Sequence, residues 1–157
     1  MTIKKTASST WSGDIKTGKG SISTQSGALN KQPYGFNTRF EDEAGSNPEE
    51  LVGAAHSACF SMALSLALGD AGFTADKIDT KATVSLDEVD DGFSVTHIAL
   101  EVKARIDDIQ NEQFQALCEQ TKKSCPISKL LNTEISLDAT LQSAFCLFRL
   151  NYLDSSL

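Results

Sequence analysis

Asn47-Pro48-Glu49-Glu50-Leu51-Val52-Gly53-Ala54-Ala55-His56-Ser57-Ala58-Cys59-Phe60-Ser61-Met62-Ala63-Leu64-Ser65-Leu66-Ala67-Leu68 decides how the rest of the chain is read. It opens like a helix. Asn47 is a good N-cap, Pro48 suits the first helical position, and Glu50 stands where a capping-box acid belongs. From Leu51 to Leu68 there is no charge, a length near the lower limit for a membrane span. His56, Ser57, Ser61 and Ser65 interrupt that run, and Ala and Gly dominate it rather than Leu and Ile. A helix uncharged on every side is usually buried inside protein. In a small domain, that implies a central soluble helix packed against its copy in a second subunit. Gly69 and Gly72 end it near Leu68.

Upstream, glycines punctuate short β-prone stretches between residues 8 and 24, the pattern of a hairpin or small meander. Pro33 and Gly35 open a further extended segment ending near Thr38-Arg39-Phe40. Downstream, Ile78, Thr80, Ala82, Val84 and Leu86 alternate, as do Ile98, Leu100, Val102, Ala104 and Ile106. Asp90-Asp91-Gly92 lies between them, which predicts a hairpin with one buried face. Residues 111–123 form an amphipathic helix with Phe114, Leu117, Cys118 and Thr121 on one side. A short helix follows Cys125-Pro126, then a strand over Glu134–Leu141. Without regular βαβ alternation, this order indicates an α+β fold with antiparallel sheet. Residues 1–141 read as one domain, and 142–157, including Cys146, as an apolar extension of unknown role.

The 157 residues carry 40% hydrophobic and 22% charged side chains, an ordinary globular balance. A net charge of −7 gives no footprint for nucleic acid or an anionic membrane. Lys4 and Lys5 are followed by no apolar run, so no signal peptide is expected. Four cysteines (Cys59, Cys118, Cys125, Cys146) are too sparse for a secreted disulfide scaffold and lack any C-x-x-C pair for zinc. The expected setting is cytoplasmic, with thiols reduced at rest and any disulfide transient and catalytic.

Two of those cysteines occupy contrasting places. Cys59 lies in the small-residue helix, which would bury and protect a thiol. Cys125 precedes a proline at a helix start, which would expose and activate it, since a helix N-terminus favours a thiolate. Lys122 and Lys123 add positive charge nearby. About three turns into its helix, Cys59 is beyond the terminal dipole and would have a raised pKa. It becomes a nucleophile only if a cation is delivered, and Arg39 is the strongest candidate. A partly buried arginine needs a carboxylate, and Glu49 or Glu50 could supply it. Ten helical residues separate Glu49 from Cys59 by about 15 Å, too far for one guanidinium to serve both. Either the helix start bends away, or Arg39 and Glu49 reach the partner subunit's Cys59. The second reading agrees with the dimer the helix already requires.

These residues resemble the OsmC/Ohr family of hydroperoxide reductases. Asn47-Pro48-Glu49-Glu50-Leu51, Ala54-Ala55-His56-Ser57-Ala58-Cys59-Phe60 and Cys125-Pro126-Ile127-Ser128 carry the likeness. Pro33-Tyr34-Gly35-Phe36-Asn37-Thr38-Arg39-Phe40 is similar to the OsmC branch. The resemblance implies an OsmC-like fold, with sheets wrapped around long central helices in an intertwined homodimer. It implies that Cys59 is the peroxidatic cysteine, oxidised to a sulfenic acid, and that Cys125 resolves it by forming a disulfide. Arg39 and Glu49 match the pair that stabilises the thiolate and polarises the peroxide. Organic hydroperoxides would be the preferred substrates, hydrogen peroxide a weaker one, and a dithiol such as dihydrolipoamide the reductant. A role in oxidative or osmotic stress follows, and no metal, haem or flavin is implied.

Without the motifs, Cys59 would read as a small core hydrophobe and Cys125 as a helix cap. Cys118 shares the apolar face of Phe114 and Leu117 and is expected in the core. His56 could be a base or ligand, but a core or interface hydrogen bond suits it better. His97, in a strand, should face solvent or a sheet neighbour. A thiol-based redox sensor and a dimeric binding protein with an apolar cleft are the rival functions. Nothing basic or helix-turn-helix-like supports the sensor.

Overall fold

The computed structural model describes residues 1–41 and 43–142. The extension after Gln142, and Cys146 with it, lies outside those residues. Two compact units divide the chain, one over Met1–Leu51 and one beginning at Val52.

The first unit is a three-stranded antiparallel meander, β1 (Ala7–Ser12), β2 (Lys19–Thr24) and β3 (Gln32–Tyr34). Gly20 sits in register between Trp11 of β1 and Tyr34 of β3. Those two rings pack with centroids 5.5 Å apart. A Cβ on Gly20 would stand 2.3 Å from the Tyr34 ring, so only glycine fits there. The extended segment expected to continue to Phe40 stops at Tyr34, and Phe36–Phe40 form a helical turn, α1. The Thr38 hydroxyl accepts the Gly35 N–H at 3.0 Å and lies 2.8 Å from the Ser46 carbonyl. Those local bonds offer the backbone a turn in place of a ladder.

The helix α2 runs from Pro48 to Asp70. The Asn47 side-chain oxygen accepts the Glu50 N–H at 2.8 Å, the expected N-cap. At the other end Gly72 takes φ +86, a left-handed conformation that favours glycine. Phe73 N–H then bonds the Leu68 carbonyl at 2.9 Å and Gly72 N–H bonds that of Gly69 at 3.0 Å. This is a Schellman closure. By composition α2 is long and apolar enough to cross a bilayer. Its burial is instead one-sided. Gly53, His56, Phe60, Leu64 and Leu68 recur at helical spacing and are buried, whereas Met62 is 77% and Leu66 67% exposed within a single chain.

The second unit's sheet explains that stripe. β4 (Ala75–Val89) and β5 (Gly92–Ile106) form the predicted antiparallel hairpin, with Asp90-Asp91 as a two-residue loop. Leu100, Val102, Ala104 and Ile106 of β5 join Phe60, Leu64 and Leu68 in one core with Phe114 and Cys118. β6 (Glu134–Gln142) adds on the other side of β5, but parallel to it. The sheet is therefore mixed rather than wholly antiparallel. Two helices intervene, α3 (Asn111–Ser124) and α4 (Pro126–Leu130), and they return the chain to the starting end of β5.

Removing the centre of this core should be costly. Leu64→Ala is expected to lower unfolding free energy by about 2–5 kcal/mol, read by urea denaturation at fixed protein concentration.

Candidate active site

Two side-chain clusters bear on chemistry, one in each unit. In the second unit, α2 presents Cys59 one turn after the buried His56, and the chain between α3 and α4 presents Cys125. A residue before proline is driven to extended backbone, and Cys125 has φ −54 and ψ 124. It thereby closes α3 through its N–H to the Thr121 carbonyl (2.8 Å). It also opens α4 by accepting the Lys129 N–H (3.0 Å). The result brings sulfurs 66 residues apart in sequence to 3.1 Å. A disulfide needs about 2.05 Å, so bonding them takes only a small side-chain movement.

The burial of the two thiols is the reverse of that expected. Cys59 is only half-buried, while Cys125 is fully covered. The reason lies in α3. Phe114, Cys118, Thr121 and Cys125 recur every three or four residues and share its inward face. The incoming reagent can thus meet Cys59 more readily than Cys125.

Electrostatics follow the sequence reading in direction. Burial pushes the Cys59 thiol up, and its contact with Cys125 pushes it further. Burial also opposes ionisation of Cys125, but that is outweighed. The Ser128 N–H, the Cys59 thiol, the Ser128 hydroxyl and the Ile127 N–H all favour its anion, and its pKa falls. Lys122, expected to contribute charge there, is instead paired with Glu119 at 3.0 Å. His56 is buried, and burial lowers its pKa, so it is neutral. Its Nε2 lies 2.8 Å from the Ser128 Oγ. Ser128 stands in the quoted motif, three residues after Cys125, yet only the fold reveals its partner 72 residues away. Cys118 is in the core as expected, its thiol pushed up to about 12 by burial first and by Glu119 second.

The first unit holds the other cluster. Arg39 Nε reaches both Glu49 carboxylate oxygens, at 3.2 and 3.1 Å, and its Nη2 reaches Oε1 at 2.6 Å. This forked grip orients a guanidinium as no lysine could. Glu49 is therefore the holding carboxylate, while the Glu50 backbone meets the Asn47 cap. The pair is only partly exposed, 36% for the Arg39 and 15% for the Glu49 side chain. Beside it a cavity of about 280 Å³ is lined by Trp11, Ile15, Tyr34, Phe36 and Phe40. The Arg39 guanidinium also lies 5.3 Å from the Phe40 ring centre.

The family described as OsmC-like protein matches residues 40–140. The chain belongs to the OsmC family. It is 58% identical over 143 residues to peroxiredoxin OsmC of Escherichia coli, covering 91% of this chain and all of that relative. Organic hydroperoxide resistance protein OhrB of Bacillus subtilis is 30% identical over 122 residues, or 76% of this chain and 88% of that one. The crystal structure of OhrB superposes with a TM-score of 0.63 at 25% identity, covering 87% of this chain and 98% of that chain. An OsmC-like protein of unknown function from Vibrio cholerae has a TM-score of 0.71 at 16% identity, covering 88% and 100%, and speaks for the OsmC fold alone.

The buried Cys118 gives a pH signature. Native protein keeps its proton from the ordinary thiol value of 9.0 up to about 12, whereas unfolded chain releases it. Stability should therefore fall across that window by up to about 1.4 kcal/mol per pH unit. Urea unfolding of Cys118→Ala should show a shallower decline than the parent, and parallel profiles would contradict the assignment.

Proposed function

We propose that this OsmC-family protein is a thiol-dependent peroxidase that reduces organic hydroperoxides in the cytoplasm. The 3.1 Å approach of the Cys59 and Cys125 sulfurs carries the proposal. In the first step the Cys59 thiolate attacks one peroxide oxygen. The O–O bond breaks, the alkoxide leaves as alcohol after protonation, and Cys59 becomes a sulfenic acid. In the second the Cys125 thiolate attacks the Cys59 sulfur. The S–S bond forms, the S–O bond breaks, and hydroxide departs as water. A dithiol of the dihydrolipoamide type then restores both thiols by exchange.

The raised pKa of Cys59 means that its subunit alone leaves it protonated. An Arg39–Glu49 pair that stabilises the thiolate answers that need. About 15 Å of helix between Glu49 and Cys59 favours a guanidinium supplied by a second copy. The apolar exposed residues Met62 and Leu66 of α2 give such a copy a face to cover. The aromatic-lined cavity beside Arg39 suits the organic part of a hydroperoxide better than hydrogen peroxide, which has none.

Complementation between inactive variants tests both the chemistry and the dimer. Cys59→Ser and Arg39→Met should each lose hydroperoxide consumption when assayed alone. After unfolding and refolding as an equal mixture, they should recover about a quarter of parental turnover, because half of the dimers regain one site. Unchanged consumption by Cys59→Ser would sink the peroxidase, whereas a mixture that stays inactive would sink only the shared site.

A further inference from the structure

Cys59 and Cys125 are close before any bond joins them. Their sulfurs stand 3.1 Å apart, and the backbone under each is anchored. α2 carries Cys59 one residue before Phe60, which lies in the core with β5. Cys125 donates its N–H to the Thr121 carbonyl (2.8 Å), and its own carbonyl accepts the Lys129 N–H (3.0 Å). A second tie runs beside the sulfurs. His56 lies one turn before Cys59, with its Nε2 2.8 Å from the Oγ of Ser128, three residues after Cys125. Both of those side chains are buried. α2 and α4 are therefore joined by a contact that does not involve the sulfurs.

An anchored pair of thiols is a chelate, and its bite selects what it holds. Among the described residues no group of three His, Cys, Asp or Glu side chains is placed to hold a metal ion. Structural zinc, which takes four such ligands, does not fit. Its tetrahedral angle would also spread two sulfurs to about 3.8 Å, given a Zn–S bond of about 2.3 Å. A linear two-coordinate ion would hold them farther apart still. Trivalent arsenic differs. Its lone pair occupies one position and its three bonds stand near right angles. At a bond length like that of Zn–S, two sulfurs on it lie about 3.3 Å apart. An arsenic bearing one organic group needs two thiols and no more. Cys59, half-buried, gives the reagent access, and the covered Cys125 completes the chelate.

We infer that the reduced Cys59–Cys125 pair is a binding site for trivalent arsenicals that carry one organic group. In water such a compound is an organoarsenic dihydroxide. Each sulfur displaces one hydroxyl: two S–H and two As–O bonds break, two As–S bonds form, and two waters leave. Arsenic stays trivalent, and nothing is oxidised or reduced. The thiols are already placed, so little side-chain freedom is lost on closing the ring. Once one sulfur has bonded, the other adds as an intramolecular ligand, which makes the chelate far tighter than either single bond. An occupied pair has no thiol left for a peroxide. That consequence rests on the proposed peroxidase; the binding itself does not.

The test titrates the reduced full chain with phenylarsine oxide in excess glutathione and reads the intact mass. One phenylarsenic group per chain is expected, resistant to the monothiol and removed by the dithiol 2,3-dimercaptopropanol. Cys59→Ser and Cys125→Ser should each bind about a hundredfold more weakly, having lost the intramolecular ligand. Cys118→Ala and Cys146→Ser should bind like the parent. The unaltered sequence supplies an arm free of folding effects: chain carrying the Cys59–Cys125 disulfide should take up no arsenical, and reduction should restore uptake. A reduced parent that forms no glutathione-resistant adduct would overturn the inference, as would parental binding by Cys125→Ser. A parent that binds the arsenical but consumes no hydroperoxide supports the dithiol site and sinks the peroxidase alone.

Discussion

The approach of the Cys59 and Cys125 sulfurs to 3.1 Å is the constraint on which the second unit depends. Cys59 is held by a helix with a buried stripe from Gly53 to Leu68, of which Phe60, Leu64 and Leu68 pack into one core with β5. Cys125 is held by a proline that drives it to extended backbone and by the inward face of α3. The parallel return of β6 matters for the same reason. A crossover through α3 and α4 carries Cys125 past the sheet to α2, which a simple hairpin could not do.

Proximity also sets the proton chemistry. Two thiols in contact cannot both ionise easily, so an anion on one sulfur holds the proton on the other. Backbone and hydroxyl donors favour the anion on Cys125, and Cys59 keeps the shared proton. The more accessible sulfur is thus the less ionised one. Moving that proton across a 3.1 Å contact is a small step, and a cation beside Cys59 would draw the negative charge towards it. The Arg39–Glu49 fork has the chemistry to do this, since its guanidinium stays charged and oriented when partly covered.

Much of this arrangement was legible in the residues, because local rules governed it. Asn47 and Pro48 announced the helix start, Gly72 its end, and period-two alternation the β4–β5 hairpin. The opposed pKa directions of Cys59 and Cys125 followed from an apolar helix interior for the first and a helix start for the second. Three features were not legible. The turn at Phe36–Phe40 depends on the Thr38 hydroxyl finding the Ser46 carbonyl, which no periodicity encodes. The parallel setting of β6 depends on how two helices cross, and alternation is identical in either direction. The burial of Cys125 was misread because its helix-start position was weighed without the inward face of α3. His56 illustrates the limit well: its burial could be guessed, but its Ser128 partner exists only in the fold.

The most direct measurement is peptide mapping of the full chain after a stoichiometric addition of an organic hydroperoxide, with free thiols blocked on quenching. A Cys59–Cys125 disulfide within one chain is the expected product. A Cys59–Cys118 linkage, or Cys59 oxidised while Cys125 remains a free thiol, would contradict the mechanism.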